Sequence, residues 1–232
     1  MQASEEEFLT PRIVDIQQIN DSHAKVTLEP LERGFGHTLG NALRRILLSS
    51  MSGCAIVEVE LDGVLHEYTT MEGVQEDVVN IMLNLKGVAL RMETATEASL
   101  TISKKGPCVV TAGDIETGHD VEIMNPDLHI AEIDADGSIN ADIIINDGRG
   151  YIPAEEKNRG ERSLEIILMD SIYSPIRKVN YHVGNARVGH KTDYDKLTLE
   201  IWSNRTILPA DALAYASKVI TDHLKLFINF EE

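Results

Sequence analysis

Gly36-His37-Thr38-Leu39-Gly40-Asn41-Ala42-Leu43-Arg44-Arg45-Ile46-Leu47-Leu48-Ser49-Ser50 is the stretch around which the rest of the chain is organised. At about 100° per residue, Leu39, Ala42, Leu43, Ile46 and Leu47 share one arc, the stripe that a helix buries against its own core. The spacing predicts a helix over residues 38–50. Leu48 falls away from that stripe, among Asn41, Arg44 and Arg45, so a large aliphatic side chain stands within a basic face. That composition suits an interface anchor with a polar surround as well as it suits an ordinary solvated face. Wheel geometry alone does not separate the two.

Outward from this helix, period 2 dominates. Residues 12–19 and 23–28 read as two strands joined by Asn20-Asp21-Ser22. Residues 54–61 alternate, and Asp62-Gly63 predicts a tight hairpin into a strand over 64–68. Asp136-Gly137 predicts a second hairpin, between 128–133 and 139–145. Helical spacing returns over 74–85, with Lys86 in a positive last turn and Gly87 as the C′ glycine, and again over about 210–230. A weaker helix over 163–170 ends before Ser174-Pro175. Strand runs with a few separated helices predict an α+β fold with antiparallel sheets, not alternating βαβ units. The middle, from about 53 to 174, is rich in hairpin and loop signals, while the ends hold the two strongest helices. One continuous domain and a middle inserted between the ends both fit that pattern.

Composition narrows the function classes. The 232 residues carry 21 Lys+Arg against 38 Asp+Glu, a net charge of −17, which argues against direct, tight DNA binding because phosphate affinity rests on clustered basic residues. A hydrophobic content of 43% with 25% charged residues predicts a folded chain. Cys54 and Cys108 have no companions at ligand spacing, so buried free thiols in a reducing compartment are expected, with neither a disulfide nor a metal site. The acidic start and the lack of an apolar run near about 18 residues predict a cytoplasmic protein with no membrane contact. Asp114, Glu116, His119 and Asp120 crowd one Gly-flanked loop and read as solvated surface rather than a metal or acid–base site. His37 reads as a hydrogen-bonded structural histidine, Gly148-Arg149-Gly150 as a tight turn, and no nucleophile arrangement is visible. Gly34, Gly36 and Gly40 form a variant of the dinucleotide-binding loop, with Arg44 or Arg45 in reach of a phosphate. Its context fails, because Pro30 is expected to stop the preceding strand early and no βαβ unit follows. No cofactor is expected.

The run Leu28-Glu29-Pro30-Leu31-Glu32-Arg33-Gly34-Phe35, continuing through the opening stretch to Met51, resembles the alpha subunit family of bacterial DNA-directed RNA polymerase. Matching blocks follow at Asp62-Gly63-Val64-Leu65-His66-Glu67-Tyr68, Glu72-Gly73-Val74-Gln75-Glu76-Asp77, Asn84-Leu85-Lys86-Gly87, Gly148-Arg149-Gly150-Tyr151 and Tyr173-Ser174-Pro175. The likeness spans essentially the whole chain and corresponds to that subunit's amino-terminal domain. It implies an α+β fold with a discontinuous dimerisation subdomain, residues 1–52 and 179–232, of antiparallel sheet plus two long helices. A mostly-β subdomain, residues 53–178, is inserted and contacts the large subunits. It also implies a cytoplasmic, non-catalytic scaffold for transcription, a homodimer or alpha–alpha heterodimer on which the beta and beta-prime subunits assemble, within reach of transcription activators.

Residue by residue, the resemblance implies that Arg45 and Leu48, with Asn41 and Arg44 on the same face, dock the beta subunit, and that Lys86 and Met169 meet beta-prime. The last helix carries Leu213, Ala216, Ile220, Leu224 and Phe227 at 3-4-4-3 spacing, widened by Ala212, Val219, Leu226, Ile228 and Phe230. Pattern alone lets that surplus cap its own core. The resemblance implies that this stripe and Leu39, Leu43, Ile46 and Leu47 of the first helix pack against a second copy in a two-fold interface. The sequence departs from the family at Asn204-Arg205-Thr206, where Arg205 stands in the place of a turn glycine, and at Leu208, where an Asp N-cap is usual. An intact helix with a frayed start is expected there. Residues 154–162 mix Glu155, Glu156 and Glu161 with Lys157, Arg159 and Arg162, where family members that receive activators nearby present a more acidic patch. The family's carboxy-terminal DNA-reading domain has no counterpart in these residues, so a shortened form of a longer subunit is expected.

Overall fold

A computed structural model describes residues 11, 13–157 and 165–228 of the chain. Its strands in chain order are β1 (Ile13–Asn20), β2 (His23–Leu31), β3 (Ser52–Leu61), β4 (Leu90–Met92), β5 (Glu97–Lys105), β6 (Cys108–Thr111), β7 (Val121–Ile123), β8 (His129–Ile133), β9 (Ser138–Arg149), β10 (Tyr151–Ile152), β11 (Ile166–Leu168), β12 (Ser171–Ile172), β13 (Ile176–Val188) and β14 (Lys191–Ser203). The α-helices are α1 (Phe35–Ser49), α2 (Val78–Leu85) and α3 (Pro209–Ile228). The architecture is α+β, with every strand pair antiparallel. The chain divides into two compact units, residues 1–51 with 176–232, and residues 52–175.

In the first unit one sheet runs β1-β2-β14-β13, with α1 and α3 packed on it. Directly paired residues of antiparallel strands share a face, so the register sets three rows across the sheet. They are Val14–Leu28–Leu197–Val183, Ile16–Val26–Leu199–Tyr181 and Gln18–Ala24–Ile201–Val179. Val26, Leu197, Leu199, Ile201 and Val179 from these rows form a core with Leu47 of α1 and with Ala212 and Ala216 of α3. Strand β2 does not stop early: it continues through Pro30 to Leu31, after a cis Glu29–Pro30 bond. Opposite Pro30 the β14 register shifts between Asp195 and Leu197, which accommodates a residue with no N–H to donate.

The second unit centres on the sheet β11-β3-β9-β5, with the pairs β4-β7, β6-β8 and β10-β12. Val59, Leu61, Leu100, Ile102, Ile143 and Ile145 pack there against Val78, Ile81 and Leu85 of α2. Several sequence expectations are corrected in this unit. Asp62-Gly63 does make a tight turn, with Gly63 at φ 78° and Val64 N–H donating to the Leu61 carbonyl at 3.0 Å. No strand follows over 64–68, because both edges of β3 are already taken, by β9 and β11. Nor is β3 a cleanly alternating strand. A register shift between Ile56 and Glu58 breaks the period, and Ala55 and Val57 pack with Tyr173 and Ile144 while Ile56, Val59 and Leu61 fill the main core.

Strands β8 and β9 are both present but are not a hairpin, since β8 pairs with β6 and β9 with β3 and β5. Gly137 serves packing instead of a left-handed turn: a Cβ on it would stand 2.1 Å from the Gly73 carbonyl oxygen. Helix α2 starts at Val78, not Val74. Asp77 caps it, its carboxylate accepting from Asn80 N–H at 2.7 Å. Gly87 keeps an ordinary φ, and its N–H donates to the Asn84 carbonyl. The weak helix over 163–170 is absent where described, because Ile166–Leu168 is strand β11; residues 163 and 164 lie outside the described residues, as do Arg159, Glu161, Arg162 and Phe230.

Candidate functional site

Helix α1 lies unusually close to its sheet. A Cβ on Gly36 would stand 2.8 Å from Val183 Cγ1, and one on Gly40 would stand 2.6 Å from Tyr181 Cδ2. Two glycines four apart thus form a smooth strip that lets the helix backbone rest on β13 and β14. At the helix start, Gly34 adopts φ 91°, which a side chain disfavours. The carboxylate of Asp195 on β14 accepts from the N–H groups of both Gly34 (2.8 Å) and Gly36 (3.0 Å). Free N–H groups at a helix start attract anions, and here the protein supplies its own. The glycine-rich turn is therefore a packing and capping device, and a phosphate aimed at it would meet a buried carboxylate.

With its inner side held this way, α1 presents Asn41, Arg44, Arg45 and Leu48 to the outside. Leu48 is 36% exposed. Neither arginine has an acidic partner among the described residues. The face is an apolar side chain ringed by uncommitted donors, set on a helix whose own rotation is locked by Gly36, Gly40 and Asp195.

The stripe residues divide into two groups. Leu39, Leu43, Ile46 and Leu213 are partly buried against their own core, and Ile220 is half-buried. Leu224 and Phe227 are 54% and 69% exposed. Leu47 and Ala216 correct the expectation of a dimer contact, because both are fully buried within their own unit and have no surface to offer. Arg205 has φ 78°, the one positive φ outside glycine among the described residues, as its place in a glycine's turn predicts. Asn204 Oδ1 supports the turn by accepting from the Thr206 N–H and hydroxyl. Pro209 opens α3 in place of a polar cap.

In the second unit, Lys86 Nζ lies 2.8 Å from Asp170 Oδ2, and Asp170 Oδ1 accepts from Ala154 N–H at 2.9 Å. Lys86 chiefly, then that N–H, holds the Asp170 carboxyl below the ordinary carboxylate range. The ion pair pins residues 154–156 to the end of α2. Met169 beside it corrects the expectation of a partner contact: it is 2% exposed, and its side chain belongs to the unit's core.

The remaining candidates have local duties. Asp114 pairs with Lys104 at 2.7 Å and closes a capping box with Thr111, while Asp120 accepts from Thr94. No cluster of three or more His, Cys, Asp or Glu that could hold a metal occurs among the described residues. His37 is exposed and edge-on to Tyr181, without the expected hydrogen bond among those residues. Cys54 and Cys108 are free but only partly buried, and burial pushes the Cys54 thiol up. No described helix is long and apolar enough to cross a membrane.

Sequence reasoning missed Asp195, whose role depends on a helix start some 160 positions away, and Asp170, which follows a strand read as helix. It also missed the Glu76–His129 pair, 2.6 Å apart, in which Glu76 additionally accepts from Glu132 N–H. In comparison with known proteins, a family model described as the RNA polymerase Rpb3/RpoA insert domain matches residues 57–174, half of the chain.

Proposed function

The chain belongs to the Rpb3/RpoA family of RNA polymerase subunits, and from that premise we propose that it is an alpha subunit of the bacterial type, a non-catalytic homodimer on which the beta and beta-prime subunits assemble. The observation that carries this reading is the outward face of α1. Leu48 is exposed between Arg44 and Arg45, neither of which has an acidic partner among the described residues, on a helix seated closely on its sheet through Gly36 and Gly40. Leu48 is already about two-thirds covered, so covering the rest with a partner is worth about 0.5–1 kcal/mol, and each arginine brings donors suited to a carboxylate. Within this reading Arg45, Leu48, Asn41 and Arg44 receive beta. Lys86 faces beta-prime while its ammonium stays tied to Asp170, and the first unit provides the dimer contact. The dinucleotide-enzyme alternative loses its site to Asp195.

Pull-down of purified beta subunit by the tagged chain tests the proposal. Arg45→Ala should weaken capture at least about tenfold, the equivalent of 1.4 kcal/mol, and leave the melting temperature unchanged, and Leu48→Ala should weaken it about two- to fivefold. Undiminished capture by both variants would refute the docking role.

A further inference from the structure

Aspartate stands directly before glycine three times in this chain, at Asp62-Gly63, Asp136-Gly137 and Asp147-Gly148. The pair carries a chemistry of its own. With no side chain to obstruct it, the glycine nitrogen can attack the aspartate side chain and close a five-membered ring, provided that nitrogen is uncommitted and the local backbone can rotate. The fold treats the three pairs differently. Gly137 is buried, its N–H donates to the Asp134 carbonyl at 3.1 Å, and the Gly73 backbone presses against it. Gly148 lies inside β9, paired with Gly53 of β3, and a Cβ on it would stand 2.8 Å from the Tyr173 ring. Asp147 before it donates its own N–H to the Thr96 carbonyl at 3.1 Å. At both places ring closure has to wait for local opening of the structure.

Asp62 and Gly63 are both exposed, and a Cβ on Gly63 would meet nothing within 4 Å. Among the described residues the Asp62 carboxylate has no ion pair or hydrogen bond, and the Gly63 N–H has no acceptor. The bonds that define the turn flank the pair and leave the reacting atoms out: Val64 N–H donates to the Leu61 carbonyl, and Asp62 N–H to the Asn140 carbonyl at 3.1 Å. We propose that Asp62-Gly63 is a site of spontaneous covalent modification, the one Asp-Gly pair that the folded chain leaves free to convert to isoaspartate. Gly63 N bonds to Asp62 Cγ as a C–O bond of the carboxyl breaks, and one water leaves, giving a succinimide. Water then adds to either ring carbonyl. Breaking the bond from N to Cγ restores aspartate; breaking the bond from N to the Asp62 backbone carbonyl carbon leaves isoaspartate, with the main chain routed through Cβ and Cγ. One water leaves and one returns, so the mass is unchanged and nothing is oxidised or reduced. The main chain is then one carbon longer just before Val64, a 3% exposed member of the second unit's core, and before Leu65, His66 and Glu67, which line a cavity against β11.

Ageing the purified chain for weeks at neutral pH tests this. Electron-transfer fragmentation of its proteolytic peptides distinguishes isoaspartate from aspartate at each position, and an isoaspartyl methyltransferase with labelled S-adenosylmethionine counts the total. Residue 62 should hold at least about tenfold more isoaspartate than residue 136 or 147. Equal amounts at all three, or none at residue 62, would overturn the proposal. Ageing in guanidinium chloride should bring the three within about threefold of one another, because the selectivity comes from the fold; a preference for residue 62 undiminished in the unfolded chain would overturn that cause. Asp62→Glu, which would have to close a six-membered ring, should remove most of the methyl acceptance of the aged folded chain, and an unchanged signal would overturn the assignment.

Discussion

Replacing Gly40 with alanine should reverse the usual sign of a glycine-to-alanine change in a helix. In a helix interior that exchange ordinarily stabilises by about 1 kcal/mol, since alanine loses less backbone freedom. The new methyl would stand 2.6 Å from Tyr181 Cδ2 and 3.0 Å from Leu197 Cδ1. Leu197 is completely buried and cannot retreat. Overfilling a packed site costs about 1–3 kcal/mol, and a contact this short with a ring on the sheet belongs in the upper half of that range. The net expectation is a loss of about 1–2 kcal/mol. Trp202 is the chain's single tryptophan, sits on β14 beneath the same helices' sheet and stacks on His23, so its fluorescence in a urea titration reports this unit. Asn41→Ala, one residue along on the outer face, is the control and should be neutral or stabilising by a few tenths of a kcal/mol. A Gly40→Ala midpoint at or above that of the unaltered chain would refute the close-packing account of α1 and the rotational lock it gives the Leu48 face.

Arg205→Gly should stabilise the chain by about 1 kcal/mol by relieving the φ of 78°; a lowered melting temperature would show that the arginine side chain contributes more than its strain costs. Lys86→Ala should raise the Asp170 pKa, read by carboxyl NMR. The folded pKa is depressed, so the pair's stabilisation is present above about pH 4 and lost as pH falls through the folded value. Because the pair is about a third exposed, the variant should lose less than about 1 kcal/mol at pH 7, and an unshifted Asp170 would contradict the ion pair. For Glu76, burial pushes the carboxyl up, but Glu132 N–H and His129 more than offset it and hold it below the ordinary range. Its contribution is likewise present above about pH 4.3 and lost on acidification, so Glu76→Gln should be less stable than the original at pH 7 and converge with it near pH 3. An equal stability gap at both pH values would count against that.

Local patterns were legible where one element carries its own signal. The stripe over 38–50 found α1 to within a few residues, the 3-4-4-3 spacing found α3, and alternation found β1 and β2. The errors come where pairing is decided from a distance. Asp62-Gly63 encodes its turn, but no local feature of 64–68 reveals that β11, a hundred residues later, occupies the edge of β3. Asp136-Gly137 looks like a hairpin turn, yet Gly137 is small because Gly73 presses against it. Leu48 turned outward as the wheel geometry indicated, since the angle between side chains on a helix is a local property. Leu47, Ala216 and Met169 show the limit of the same method. It places a residue on a face but does not measure how completely neighbouring elements cover that face.

The Asp195 carboxylate that closes the start of α1 has a consequence for the order of events during synthesis. The helix emerges from the ribosome early, but its cap and the strands it rests on, β13 and β14, are made only after the entire second unit. A nascent chain halted before residue 195 holds α1 with unsatisfied N–H groups and no floor beneath Gly36 and Gly40. The Arg45–Leu48 face is then not yet held in one orientation. Completion of the distant hairpin is therefore what fixes α1 in place, so the second unit has to be made before the first can be finished.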